Sequence, residues 1–192
     1  MFAELLRQQV AGIVDLSASQ ITALEAHFNL MVRWNKTLNL TKVTDLAEAV
    51  GRHYMESLFL GAHLPAQSLK IADIGSGAGF PGFPVAVLRQ DCEVTLIESH
   101  QRKAVFLKEA SRGVSNVRVL AKRAEEVEGV CDWVVSRAVS YEDLSEAVRA
   151  LAPNGALLTG VEEPPLTWGW QWKTAIAVPG GRSRFLRLGM QG

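Results

Sequence analysis

The chain predicts a doubly wound α/β fold, a mostly parallel seven-stranded sheet preceded by a helical extension. Three observations predict it. From Leu69 onward, short apolar runs alternate with helical patterns, the signature of strands joined by helical crossovers. One of those runs, Leu69–Ile74, passes through a glycine-rich loop into Val85-Ala86-Val87-Leu88, which reads as strand, loop and helix. The chain is also long enough, at 192 residues and 48% hydrophobic, to bury a sizeable core.

Taken in order, two amphipathic helices are expected before residue 65. One runs from about Ser17 to Trp34, with Ser17 and Gln20 in capping-box spacing and Ile21, Leu24, Phe28 and Met31 on one face. The second begins after Asp45, which can cap with Glu48 at the third helical position, and runs to about Ala62. Residues 1–65 therefore form the helical extension, and 66–192 the sheet domain, with Pro65-Ala66-Gln67-Ser68 between them. Strands are expected at Leu69–Ile74, Val94–Glu98, Val117–Leu120, Trp133–Ser136 and Ala156–Thr159, and helices at Pro81–Arg89, Gln101–Arg112 and Tyr141–Leu151. Thr174–Val178 and Phe185–Leu188, separated by Pro179-Gly180-Gly181-Arg182, read as a terminal hairpin. Trp168, Trp170 and Trp172 alternate, so a strand would place them on one face. An edge strand's apolar face is the plainer reading and base stacking the alternative.

The loop Asp73-Ile74-Gly75-Ser76-Gly77-Ala78-Gly79-Phe80-Pro81-Gly82 carries the chemistry. Its glycines permit a tight turn and let a ligand meet bare backbone. Pro81 suits a first helical turn, whose unpaired amides favour a negative group. A nucleotide-type cofactor follows. A dinucleotide fingerprint G-x-G-x-x-G fits poorly: counted from Gly75 the third glycine falls at Phe80, and counted from Gly77 it falls at Gly82 with Pro81 inside the loop. Glu98 ends the second strand, where a carboxylate can accept both ribose hydroxyls of either cofactor type or simply cap the next helix.

The same loop is similar to the first motif of the glucose-inhibited division protein B family, bacterial methyltransferases that modify guanine N7 in small-subunit ribosomal RNA. Further matching words follow in family order: Trp34-Asn35 with Asn39-Leu40-Thr41, Arg52-His53 with Glu56-Ser57-Leu58, Arg102-Lys103 with Phe106-Leu107, Arg123-Ala124-Glu125-Glu126, and Ser136-Arg137-Ala138. The resemblance implies a class I, Rossmann-like fold, S-adenosylmethionine as cofactor and 16S ribosomal RNA of the small subunit as partner. By position it implies that Asp73, Gly75, Gly77, Phe80, Glu98, Ala124, Glu125 and Arg137 serve the cofactor, with Phe80 as an apolar wall. Arg137 would hold the methionine carboxylate or an RNA phosphate, the alternative being a salt bridge to Asp132 or Glu142. Asn35, Lys36, Asn39, Lys42, Arg52 and His53 form a candidate RNA-facing surface, which Arg102, Lys103 and Lys108 could extend. A structural His53 held by Glu56 is the competing expectation, and His27, His63 and His100 read as structural or surface residues.

Guanine N7 carries an in-plane lone pair, so a positioning mechanism is expected, with no catalytic general base and no metal. The sequence departs from the family late: Thr159 precedes Gly160 where the family carries lysine, and Val161-Glu162-Glu163-Pro164-Pro165 replaces a longer insertion. A same-fold methyltransferase for another substrate, a non-catalytic ribosome assembly protein and, more distantly, a dehydrogenase are the rival readings.

Composition narrows the setting. Lys plus Arg equals Asp plus Glu at 20 each, so RNA contact must come from a local patch rather than bulk charge. No apolar run approaches the ~18 residues of a membrane span, and the opening residues, with Glu4 and Arg7, lack a signal-peptide core. A cytoplasmic monomer is expected. Cys92 and Cys131 have no metal-ligand spacing and read as buried thiols.

Overall fold

The computed structural model describes residues 1–43, 45–137, 139–142, 144, 150–165 and 168–191. Its sheet contains β1 (Lys70–Ile74), β2 (Glu93–Ile97), β3 (Val117–Leu120), β4 (Trp133–Arg137), β5 (Asn154–Thr159), β6 (Trp170–Trp172), β7 (Ile176–Ala177) and β8 (Phe185–Gln191). The order is β3-β2-β1-β4-β5-β8-β6, with β7 also paired to β8. β1 to β5 run parallel, whereas β8 pairs antiparallel with β5, β6 and β7. Since β5 takes one edge of β8 along its length, β6 and β7 lie end to end on the other. Eight strands thus fill seven positions, as the sequence pattern expects.

The order reverses between β1 and β4, whose carboxyl ends open a crevice at the switch point of a doubly wound sheet. The N-terminal helices cover one face. In α2 (Ala18–Leu38) Ser17 accepts from the Gln20 amide, and the Gln20 side chain returns a bond to Ser17, completing the expected capping box. The Gln20 amide group also donates to Val87 O at 2.9 Å, tying α2 to α5 (Gly82–Leu88). Asp45 caps α3 (Leu46–Ala49) through the Glu48 amide, and the chain continues through a π-helical segment, Val50–Met55, into α4 (Glu56–His63). α6 (Gln101–Ala110) packs on β3 and α2.

The helix α1 (Phe2–Val10) is an addition to the expected elements. Phe2, Leu6 and Val10 are buried at helical spacing, and Phe2 stacks on Phe28 with ring centroids 5.4 Å apart. One hydrophobic cluster runs from these residues through Leu24, Tyr54, Phe83 and Leu96 to Leu186. A second cluster covers the opposite face, with Ile74, Ile97, Leu157, Trp168 and Trp170.

The expected helix at 141–151 lies largely outside the described residues. The tryptophans follow the apolar-face reading. Trp170 and Trp172 stand in an edge strand, their ring centroids 5.5 Å apart. A Cβ on Gly189 would stand 2.7 Å from Trp170 and 2.9 Å from Trp172, and one on Gly155 would run into the Trp170 ring, so the indoles pack directly on a patch of sheet kept bare by glycine. Both cysteines are free thiols, Cys92 buried and Cys131 partly so. Burial pushes the Cys131 thiol up to about 11, which removes it as a nucleophile at neutral pH. No helix among the described residues is long and apolar enough to cross a membrane.

Candidate functional site

The glycine loop bends across the end of β1 because three of its residues take positive φ: Gly75 at 69°, Gly77 at 57° and Gly79 at 95°. Its anchors are internal. The Gly75 and Ser76 amides donate to Ile97 O at 3.0 and 3.1 Å, and the Gly77 amide donates to Glu98 Oε2 at 2.9 Å. Glu98 Oε1 accepts from the His100 amide at 2.7 Å. Each Glu98 oxygen keeps a further lone pair for an outside donor.

Asp73 departs from its expected place. It is fully buried, and its Oδ2 accepts the Gly82 amide at 2.9 Å, so the start of α5 already has an acceptor for that amide. Asp73 lines neither cavity beside the loop; it shapes the loop from beneath, because β1 alternation points it into the core. Burial raises its carboxyl to about 7, against the bonds from Gly82 and Ser76. Pro81 precedes α5 rather than opening it. Gly82 takes the close-packing role: a Cβ there would lie 2.6 Å from Asp73 Oδ2 and also meet Leu96. The register with Pro81 inside the loop therefore describes the packing, though it reads poorly as a dinucleotide fingerprint.

Two cavities flank Gly75. The first, about 210 Å³, is lined by Ile74, Ile97, Ser99, Ala124 and Glu125, with Ala124 half-buried and Glu125 exposed at a short 3-10 turn after β3. The second, about 300 Å³, is lined by Leu40, Thr41, His53, Phe80, Lys103 and Arg137. Gly75 and Val139 belong to both. A Cβ on Gly75 would stand 2.8 Å from Val139 Cγ2, so only bare backbone lets the loop come this close to Val139, where the two cavities share a border.

Phe80 walls the second cavity, yet it is 6% exposed and mainly joins the extension to the loop. It stacks on His53 with centroids 4.7 Å apart and meets Tyr54 edge-on at 5.0 Å. His27 completes the joint: Nε2 donates to Ala78 O at 2.9 Å, so Nδ1 accepts the Tyr54 hydroxyl at 2.7 Å. Burial lowers His27 to about 4, leaving it neutral.

Arg137 finds a partner that its sequence neighbours do not supply. Its Nη1 donates to His53 Nδ1, and its Nε lies 3.5 Å from Glu56 Oε2. Glu56 therefore does not hold His53, as expected, but faces Arg137 and Arg184. His53 Nε2 then donates to Thr41 Oγ1 at 2.9 Å. Burial first, then the charges of Arg137 and Arg52, lowers His53 to about 3. Burial also lowers Arg137 to about 10, against the Glu56 charge that raises it.

The RNA-facing candidates divide. Asn35 turns inward: its amide donates to Thr41 O and its carbonyl accepts the Thr41 amide, both at 2.9 Å. His53 is buried. Arg52 is exposed but paired with Glu48 at 2.6 Å. Lys36, Asn39, Lys42, Arg102 and Lys108 are exposed, and Lys103 reaches the second cavity. Ala138 lies outside the described residues. At the end of β5, Thr159 Oγ1 accepts from Arg187 Nε at 3.0 Å, and Arg187 pairs with Glu163 at 2.6 Å. The neighbouring strand thus brings a cation to the position where the chain lacks a lysine.

Comparison with known proteins agrees with this geometry. The chain resembles a ribosomal RNA small subunit methyltransferase G from Stenotrophomonas maltophilia at 38% identity, covering 93% of this chain and 89% of the relative. One from Halorhodospira halophila is 39% identical, covering 76% and 71%. Among solved structures, a SAM dependent methyltransferase from Aquifex aeolicus superposes with a TM-score of 0.61 at 17% identity, covering 79% of this chain and 96% of that one. A ribosomal protein L11 methylase from Lactobacillus delbrueckii gives 0.60 at 12% identity, covering 74% and 80%. These two support the fold. The family model for rRNA small subunit methyltransferase G matches residues 20–159, spanning the extension, both cavities and the end of β5, and the chain belongs to that family.

Proposed function

We propose that the protein transfers a methyl group from S-adenosylmethionine to N7 of a guanine in 16S ribosomal RNA of the small subunit. The observation that carries this reading is the bare Gly75 backbone bordering two cavities at the sheet's switch point, with Arg137 lining one of them. The residues present fit the cofactor. Ile74, Ile97 and Ala124 offer an apolar slot for the adenine, with Glu125 at its rim. Glu98 has acceptor capacity for the ribose hydroxyls, and Arg137 can pair with the methionine carboxylate. Asp73 acts by holding Gly82, and Gly77 by leaving the loop open to the ligand.

The cofactor, when bound, supplies the electrophilic methyl group. The protein supplies placement and dryness. N7 brings its own lone pair, so turnover requires alignment rather than proton removal. His53 suits that role, since Arg137 occupies its one basic lone pair and its N–H is bound to Thr41. Lys103 lines the second cavity, and with the exposed Lys36 and Lys42 of the extension it would meet phosphates while the target base is drawn from its stack. We read residues 1–65 as an extension of the methyltransferase domain 66–192, acting as a monomer in the cytoplasm.

The test is methyl transfer from labelled cofactor to intact small subunits, followed by mapping of the modified base. Label at guanine N7 of 16S RNA is expected. Label on another molecule, or tight cofactor binding without turnover, overturns the reading in favour of another substrate or an assembly role.

A further inference from the structure

Beneath the second cavity lies a charge cluster built from three distant segments. Glu56, at the start of α4, is 2% exposed. Its Oε2 lies 2.8 Å from Arg184 Nη2 and 3.5 Å from Arg137 Nε. Arg184 belongs to the turn between β7 and β8, whereas Arg137 ends β4. One carboxylate therefore serves two guanidiniums, and the division is unequal. Arg184 holds a hydrogen bond, but the buried Nε of Arg137 has no hydrogen-bond partner. Arg137 is fixed at its other end by neutral His53, itself clamped between Thr41 and the Phe80 ring.

A buried guanidinium without its counter-ion is strongly destabilised, so Arg137 depends on Glu56 for both charge and direction. Arg184 draws the same oxygen away. We propose that Glu56 is the positioning residue that sets Arg137 for the cofactor, and that Arg184 competes for it and weakens its hold. This rests on the reading of Arg137 as the partner of the cofactor's carboxylate. The terminal hairpin then reaches the cofactor site through a single oxygen atom.

Calorimetric binding of S-adenosylmethionine to the full chain tests this without turnover. Binding to the wild type and its loss in Arg137→Ala establish the underlying reading; failure of either overturns the proposal with it. Glu56→Gln is expected to weaken binding at least tenfold. Arg184→Ala is expected to tighten it several-fold and to have no effect in the Glu56→Gln background; unchanged binding in the single variant overturns the competition. Equal, additive losses in the two single variants would mark a merely structural cluster and overturn the proposal. So would Glu56→Gln binding within twofold of wild type. Should Glu56→Gln fail to fold, Arg184→Ala decides alone: tightened binding supports the competition, and unchanged or weakened binding overturns it.

Discussion

At Gly82 a Cβ would run into Leu96 Cδ2 and lie 2.6 Å from Asp73 Oδ2 and 2.7 Å from Asp73 Cβ, and both side chains are fully buried, with little room to move aside. Gly82→Ala is therefore expected to cost roughly 1–3 kcal/mol, the usual penalty of overpacking, and a lowered urea midpoint checks it. The buried titratable groups make a second prediction. His27 and His53 stay neutral in the fold down to about 4 and 3, but titrate near 6.5 when exposed. Their contribution is present above 6.5 and is lost as the pH falls below it. Asp73 works in the opposite sense. It keeps its proton up to about 7 in the fold and releases it near 3.8 when exposed, so its contribution is lost as the pH rises between those values. From pH 6.5 down to 4, unfolding takes up two protons at the histidines and releases one from Asp73. Stability should fall on acidification by about 1.4 kcal/mol per pH unit. Asp73→Asn, which mimics the protonated carboxyl, should double that slope in urea titrations across this range. An unchanged slope would mean that Asp73 is ionised throughout.

Among the elements, α1 makes a prediction of its own. Leu6 is fully buried and helps to seat α1 on the π-helical segment that carries His53. Leu6→Ala should cost about 2–5 kcal/mol, read as a drop in the unfolding midpoint. Phe2, Leu6 and Val10 carry the spacing that announces this helix, yet its N-cap is Met1 with no side-chain hydrogen bond, so the punctuation that marks α2 and α3 is missing. Capping chemistry is local, and so Ser17 with Gln20 and Asp45 with Glu48 were legible. The sheet was legible for the same reason: each strand of β1 to β5 is an apolar run bounded by turn residues. Charge partners are not local. Asp132 and Glu142 stand near Arg137 in sequence, but the alternation of β4 points Arg137 toward the face that α4 covers, where Glu56 waits. Likewise Asp73 reads as a ligand-facing acid until β1 alternation turns it into the core. The cavity residue Val139 has no chemical signature; only the closing of the cleft gives it a role.

At the scale of the whole molecule, a net charge of zero sets how this protein meets RNA. With acids and bases in balance, attraction rests on cations unpaired near the cleft, and ion pairing reduces their number. Arg52 is held by Glu48, Arg187 by Glu163 and Arg184 by Glu56. Among the described residues Lys103 lines the cavity that contains Arg137 without an ion pair, and Lys36 and Lys42 are exposed on the neighbouring extension. Three or four phosphate contacts to a looped strand would give a slope of about −2 to −3 in log affinity against log salt, at roughly 0.7 per phosphate. Lys103→Glu should weaken binding to a ribosomal RNA fragment at every salt concentration and flatten that slope by about one contact's worth. Arg52→Glu should change both far less, because its charge is already compensated. Fluorescence titration between about 50 and 200 mM salt, where such slopes are readily resolved, separates the cases. A slope steeper than about −6 would show that many more cations take part than the cleft offers. Equal losses in the two variants would extend the RNA path from the second cavity onto the π-helical segment that carries Arg52.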